Sequence, residues 1–143
     1  MDAATFLEFA RTLRDADSSI SCRTAINRAY YAGHHHACKI LEAEGVSLPS
    51  TGERHELVIY KLRQSSCPEL QKAGASLHAL RGDRTEADYR LTPGVCETKP
   101  VANVAIGRAE RLIQQLDQFA AQNSTDRLRY RSKLKSDWPP ARS

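Results

Sequence analysis

Thr24-Ala25-Ile26-Asn27-Arg28-Ala29-Tyr30-Tyr31-Ala32-Gly33-His34-His35-His36 is the stretch from which the fold class follows. At a helical pitch of about 100° per residue, Cys22, Ile26, Ala29, Gly33, Ala37 and Ile40 form one stripe, while Arg28, Tyr31 and His35 project from the other side. The stripe is made of small and apolar residues, so a neighbouring helix can approach it closely. Apart from Gly33, no breaker interrupts residues 22–44, and Gly45 follows as a C-terminal cap. The longest predicted helix therefore has one packing face and one polar face with chemical potential.

Further helices are predicted on either side. Residues 2–15 open with Asp2 as a capping residue and carry Phe6, Phe9, Ala10 and Leu13 at helical spacing; Ser18, Ser19 and Ser21 are candidate caps for the long helix. After a loop containing Pro49, residues 53–64 set His55, Val58, Ile59 and Leu62 on one face. Pro68 suits the first turn of a helix running to about residue 90, because proline gives up no needed hydrogen bond there. Its stripe of Leu70, Ala73, Leu77 and Leu80 continues as Arg84 and Asp88, four apart and able to pair along the helix. A loop over residues 91–99, with Pro93 and Gly94, precedes a helix over about 100–121. Five helices with short connections and no strand pattern predict an all-α, antiparallel four- to five-helix bundle over residues 1–121.

Residues 122–143 differ in composition. Arg127, Arg129, Arg131, Lys133, Lys135 and Arg142 against Asp126 and Asp137 give this segment the whole formal charge of +4, and residues 1–121 are neutral. Basic residues alternate with Leu128, Tyr130 and Leu134, which predicts a separate, extended or disordered arm. Arg127, Arg129, Arg131, Lys133 and Lys135 would attract RNA or an acidic protein surface; a solvated terminus is the plainer alternative. The chain contains no run of about 18 apolar residues and no signal-peptide pattern, so a protein without membrane contact and a cytoplasmic location are expected. Cys22, Cys38, Cys67 and Cys96 form no C-x-x-C pair and read as reduced, space-filling thiols.

No P-loop, dinucleotide fingerprint, G-x-S-x-G or H-E-x-x-H is present. His34 and Cys38 are four apart and could share an ion. Consecutive histidines on a helix point in three directions, however, so no metal site is expected. His36 lies nearest the packing stripe and reads as a buried, hydrogen-bonded histidine. Arg28 and His35 stand two turns apart on one face, about 10.5 Å along the axis. Histidine can move the proton of a ribose hydroxyl, and arginine can stabilise charge on a phosphoryl group, so the two together suit metal-independent RNA cleavage. On spacing alone, an ion-paired arginine and an ordinary surface histidine are the better reading.

The Arg28-Ala-Tyr30-Tyr31-Ala32 helix and, about fifty residues later, Arg81-x-x-Arg84-x-x-Ala87-Asp88-Tyr89 resemble the HEPN superfamily (higher eukaryotes and prokaryotes nucleotide-binding domain), in its small stand-alone prokaryotic branch. The resemblance covers residues 6–116. It implies a helical bundle, usually a homodimer. Many members carry R-x(4 to 6)-H and act as metal-independent endoribonucleases in toxin–antitoxin and defence systems; others bind nucleotides or pair with a small nucleotidyltransferase that modifies a tyrosine. Here the motif is Arg28 with His34 or His35, and helix geometry favours His35. Tyr31, Arg84, Asp88 and Tyr89 become substrate-binding or modification candidates, with RNA as substrate and no cofactor implied.

Overall fold

The computed structural model describes residues 2–90 and 96–136, and among these every regular element is helical. The helices are α1 (Ala3–Ala16), α2 (Ser19–Ala43), α3 (Glu53–Gln64), α4 (Pro68–Tyr89), α5 (Lys99–Ala120) and α6 (Ser124–Leu134). Asp2 caps α1, its carboxylate accepting from the Thr5 amide at 2.9 Å. Ser18 and Ser21 form a reciprocal capping box that starts α2 three residues earlier than the apolar stripe suggested. Gly45, at φ 85°, takes the left-handed conformation that ends α2. Residues 91–95, with Pro93 and Gly94 of the predicted loop, and residues 137–143, with Asp137 and Arg142, lie outside the described residues.

α2 is the central helix, packed by α1, α4 and α5. Its direction relative to each neighbour follows from paired contacts. Phe6 meets His35 while Phe9 lies beneath Arg28, so α1 runs antiparallel to α2. Arg23 reaches the Ala87 carbonyl and Arg84 lies over Tyr30, so α4 is also antiparallel to it. Against α5, Gly33 packs on Leu112 and His36 pairs with Asp117, so α2 and α5 run parallel. α2 thus runs antiparallel to α1 and α4 and parallel to α5. At Gly33 an added Cβ would fall 2.6 Å from Leu112 Cδ2, and this close approach accounts for glycine inside a long helix despite a propensity cost of about 1 kcal/mol. All four cysteines are free and buried. Among the described residues no helix is long and apolar enough to cross a membrane.

The expectation of an extended arm after residue 121 is corrected. Residues 124–134 form α6, capped by the Asn123 side chain on the Asp126 amide and docked on the bundle. Leu134 is fully buried and Tyr130 packs on Phe119. Glu44, 2 % exposed, accepts from Arg127 at 2.7 Å and from Arg131 at 2.8 Å. The buried Lys61 ammonium donates to the carbonyls of Leu134 and Ser136, both at 2.6 Å, where α6 ends. Arg127/Arg131 and Tyr130/Leu134 are each four apart, a helical period that the one-in-two alternation of charge concealed. Two of the five basic residues assigned to an arm are therefore committed to a buried carboxylate.

Glu44→Gln removes the charge that both arginines share and is expected to cost on the order of 2–3 kcal/mol of α6 docking. Limited tryptic digestion should then cut within 127–135 well before the rest of the chain; a digestion pattern equal to that of the parent would show that the carboxylate does not hold α6.

Candidate functional site

The side chains singled out on α2 fall into two groups. On the α1 side, the Arg28 guanidinium lies 6.0 Å from the Phe9 ring centroid, and its Nε is buried without a hydrogen-bond partner. Among the described residues Arg28 makes no ion pair. The His35 ring, exposed, tilts against Phe6 at 5.1 Å and Tyr31 at 5.7 Å. A cleft of about 350 Å³ lined by Asp2, Ala3, His35, His36 and Lys39 opens beside it. Partial burial, the Arg54 charge and the N-terminus hold the His35 imidazole below the ordinary histidine pKa, so it is neutral and basic at pH 7.

The second group lies between α2, α3 and α4. His34 is 3 % exposed and stacks on His55, the ring centroids 4.2 Å apart. Its Nε2 is 3.6 Å from Cys38 Sγ, and its Nδ1 has no partner. Burial, reinforced by His55, His35, Arg54 and Arg81, lowers the His34 pKa to about 3. Burial also raises the Cys38 thiol, although Arg54 Nε donates to it at 3.3 Å. Tyr30, fully buried, bonds His55 Nδ1 at 2.5 Å. Burial pushes this phenol up to about 12, and burial with Arg81 and Arg84 pushes His55 down, so at pH 7 both rings are uncharged and one proton lies between the phenol oxygen and His55 Nδ1. Among the described residues no three His, Cys, Asp or Glu side chains converge in a way that could hold a metal ion.

Arg84 joins the two groups. Its guanidinium lies 5.6 Å from the Tyr31 ring, 5.8 Å from Tyr30 and 5.8 Å from Tyr89, within cation–π range of each. Its Nε donates to Asp88 at 2.9 Å, and Asn27 donates to the same oxygen at 3.0 Å. The structure therefore brings together Tyr31, His34, His35, Arg84, Asp88 and Tyr89, with Tyr31 in the middle. No hydrogen bond, ion pair or ring contact joins Arg28 to His35 or Arg84 among the described residues. The assignment of the core histidine is corrected: His34 is the buried one, while His36 is partly exposed and pairs with Asp117 at 2.7 Å. Of the other basic residues in this segment, Arg129 pairs with Asp126 at 3.3 Å, Lys133 is exposed, and the side chain of Lys135, just past α6, lies against Gly45. Sequence reasoning missed Arg54, His55 and Arg81 as neighbours of this site; they come from other helices, and only the position of His55 on an apolar face hinted that it was packed.

No protein-family model matches the chain, and no curated protein and no solved structure is similar to it.

Because native His34 stays neutral to about pH 3 while the unfolded histidine protonates near its ordinary value, unfolding takes up a proton between those limits. Stability at this group is full above the ordinary histidine pKa and is lost as pH falls towards 3, by at most about 1.4 kcal/mol per pH unit. His34→Leu should flatten the acid limb of a denaturant-measured stability profile by up to that slope; an unaltered profile would mean that His34 titrates normally in the fold.

Proposed function

We propose that this chain is a HEPN-type toxin or defence protein that cleaves RNA without a metal ion, using Arg28 and His35 at the cleft of a homodimer. One observation carries the reading: Arg28 is a partly buried guanidinium with no carboxylate partner, on the same helix face as an exposed, neutral imidazole. A structural arginine would be expected to pair, as Arg84 does with Asp88 and Arg23 with Glu97. In the proposed reaction His35 takes the proton of a ribose 2′-hydroxyl. The 2′-oxygen then attacks the adjacent phosphorus, and the 5′-oxygen leaves with the proton that the imidazole has taken up. Arg28 neutralises charge on the phosphoryl oxygens in the transition state. Residues seven apart are separated by about 10.5 Å along the helix, too far for both to serve one phosphate from one chain without a long reach by the arginine; two copies supply matching pairs.

Expression of the parent should arrest growth, and purified protein should cut RNA in the presence of a chelator. Arg28→Ala and His35→Ala should each slow cleavage by about 10²-fold or more with little change in melting temperature. Undiminished cleavage by the double variant would refute the assignment of these residues.

A second reading is a HEPN interaction module that pairs with a small nucleotidyltransferase. It is supported by Tyr89, whose ring is 70 % exposed and stands beside the Arg84 cation, where a hydroxyl could accept a nucleotide and the cation could meet its phosphates. Mass spectrometry of protein incubated with ATP and such a partner should find added nucleotide on Tyr89 and none in Tyr89→Phe; modification elsewhere, or none, would count against this pairing.

A further inference from the structure

The α2 strip of Arg28, Tyr31 and His35 is met from α1 and from α4 by further flat side chains. From α1, the half-buried Phe6 ring lies 5.1 Å from the His35 imidazole. That imidazole lies 5.7 Å from the Tyr31 ring, and the Arg84 guanidinium is 5.6 Å from Tyr31 and 5.8 Å from Tyr89. Phe6, His35, Tyr31, Arg84 and Tyr89 therefore form an unbroken series of contacting planes from α1 across α2 to α4. One turn along α1, Phe9 repeats the pattern, with the Arg28 guanidinium 6.0 Å from its ring. Both edges of this surface are open, since Tyr89 is 70 % and Phe9 48 % exposed. A lone exposed ring is ordinary, but these rings adjoin cations, and the Arg28 charge is answered by no ion pair among the described residues. The matching ligand has an apolar flat face joined to an anion. A nucleobase on its phosphate has that chemistry, and only an unpaired one offers it, because the bases of an A-form duplex are stacked on one another and closed to side chains.

We propose that Tyr89, steadied by Arg84 and continued by Tyr31, is a stacking platform for an unpaired base, and that the RNA bound by this chain is single-stranded. The inference rests on the RNA-directed reading of the same face and narrows its substrate. Arg28 and His35 address the phosphate and the ribose, whereas Tyr89 touches a base and none of the reacting atoms. Every base has a π-face, so a platform of this kind holds strands of many sequences with little preference among them. The ring and not the hydroxyl carries the contact, so phenylalanine can replace tyrosine at this position.

The test is fluorescence anisotropy of the full chain with a labelled oligoribonucleotide whose riboses are 2′-O-methylated, alone and annealed to its complement. The proposed chemistry cannot cut that strand, so binding is read whether or not the protein is a nuclease. The parent should bind the single strand about tenfold or more tighter than the duplex. Tyr89→Leu should weaken single-strand binding by about tenfold, Tyr89→Phe should retain it, and Leu128→Ser, at an exposed position on α6, should leave it unchanged. Because the lost contact is uncharged, the dependence of affinity on salt should be the same in Tyr89→Leu as in the parent. No binding of the single strand, equal binding of the duplex, or a folded Tyr89→Leu that binds like the parent overturns the platform, as does a Tyr89→Phe that loses as much as Tyr89→Leu. A Tyr89→Leu that alters the oligomeric state but not the affinity assigns the ring to a contact between copies of the chain and overturns it too. Cutting of the unmodified strand is scored separately: a parent that binds by Tyr89 and cuts nothing refutes the Arg28 and His35 assignment alone.

Discussion

Enclosure of α2 is the constraint on which the rest of the molecule depends. A helix packed by α1, α4 and α5 has little circumference left for water. Small residues at Ala25, Ala29, Ala32, Gly33 and Ala37, all buried, let those neighbours come close. The cost is that polar side chains on the same helix are carried inside with it. Tyr30 and His34 are buried for this reason, and each is answered differently. Tyr30 finds His55 across the α2–α3 junction, whereas His34 keeps a weak contact to Cys38 and leaves Nδ1 unpaired. An unpaired buried polar atom is unfavourable by about 1–3 kcal/mol. His34 meets that penalty by remaining neutral over most of the pH range.

A pair of buried charges fastens α6 to the bundle. Glu44 at the end of α2 and Lys61 near the end of α3 are both more than nine-tenths buried, and both are turned towards α6. The carboxylate binds two arginines, and the ammonium meets carbonyls at the C-terminal end of the helix, where the dipole favours a cation. These contacts alter the electrostatic character of the region. Arg127 and Arg131, which in the sequence suggest a surface for polyanions, are directed into the fold.

Most of the helical outline was legible because caps and breakers act locally. Asp2, Ser18, Gly45 and Pro68 mark helix ends by interactions within a few residues. The errors share a different origin. A single apolar stripe implies one packing face, but α2 has several, so His34, on the side that the stripe left open, is buried and His36 is not. The helix after residue 121 was obscured because its decisive partner, Glu44, lies 83 residues away from Arg127, and no local pattern encodes such a pairing. Arg28, Tyr31 and His35 do share a face, as the spacing required. Arg54, His55 and Arg81 reach the same neighbourhood through tertiary packing alone, which is why spacing on one helix could not reveal them.

The central functional claim is that the α2 face acts on the ribose 2′-hydroxyl of RNA through an imidazole and a guanidinium. Analysis of the product ends tests it most directly, using a chelator-treated reaction on an RNA and on the same strand with one 2′-deoxyribose at the cut position. The account predicts a 2′,3′-cyclic phosphate and a 5′-hydroxyl, with no cut at the deoxy position. Products with a 3′-hydroxyl and a 5′-phosphate, or equal cutting of the deoxy strand, would contradict it.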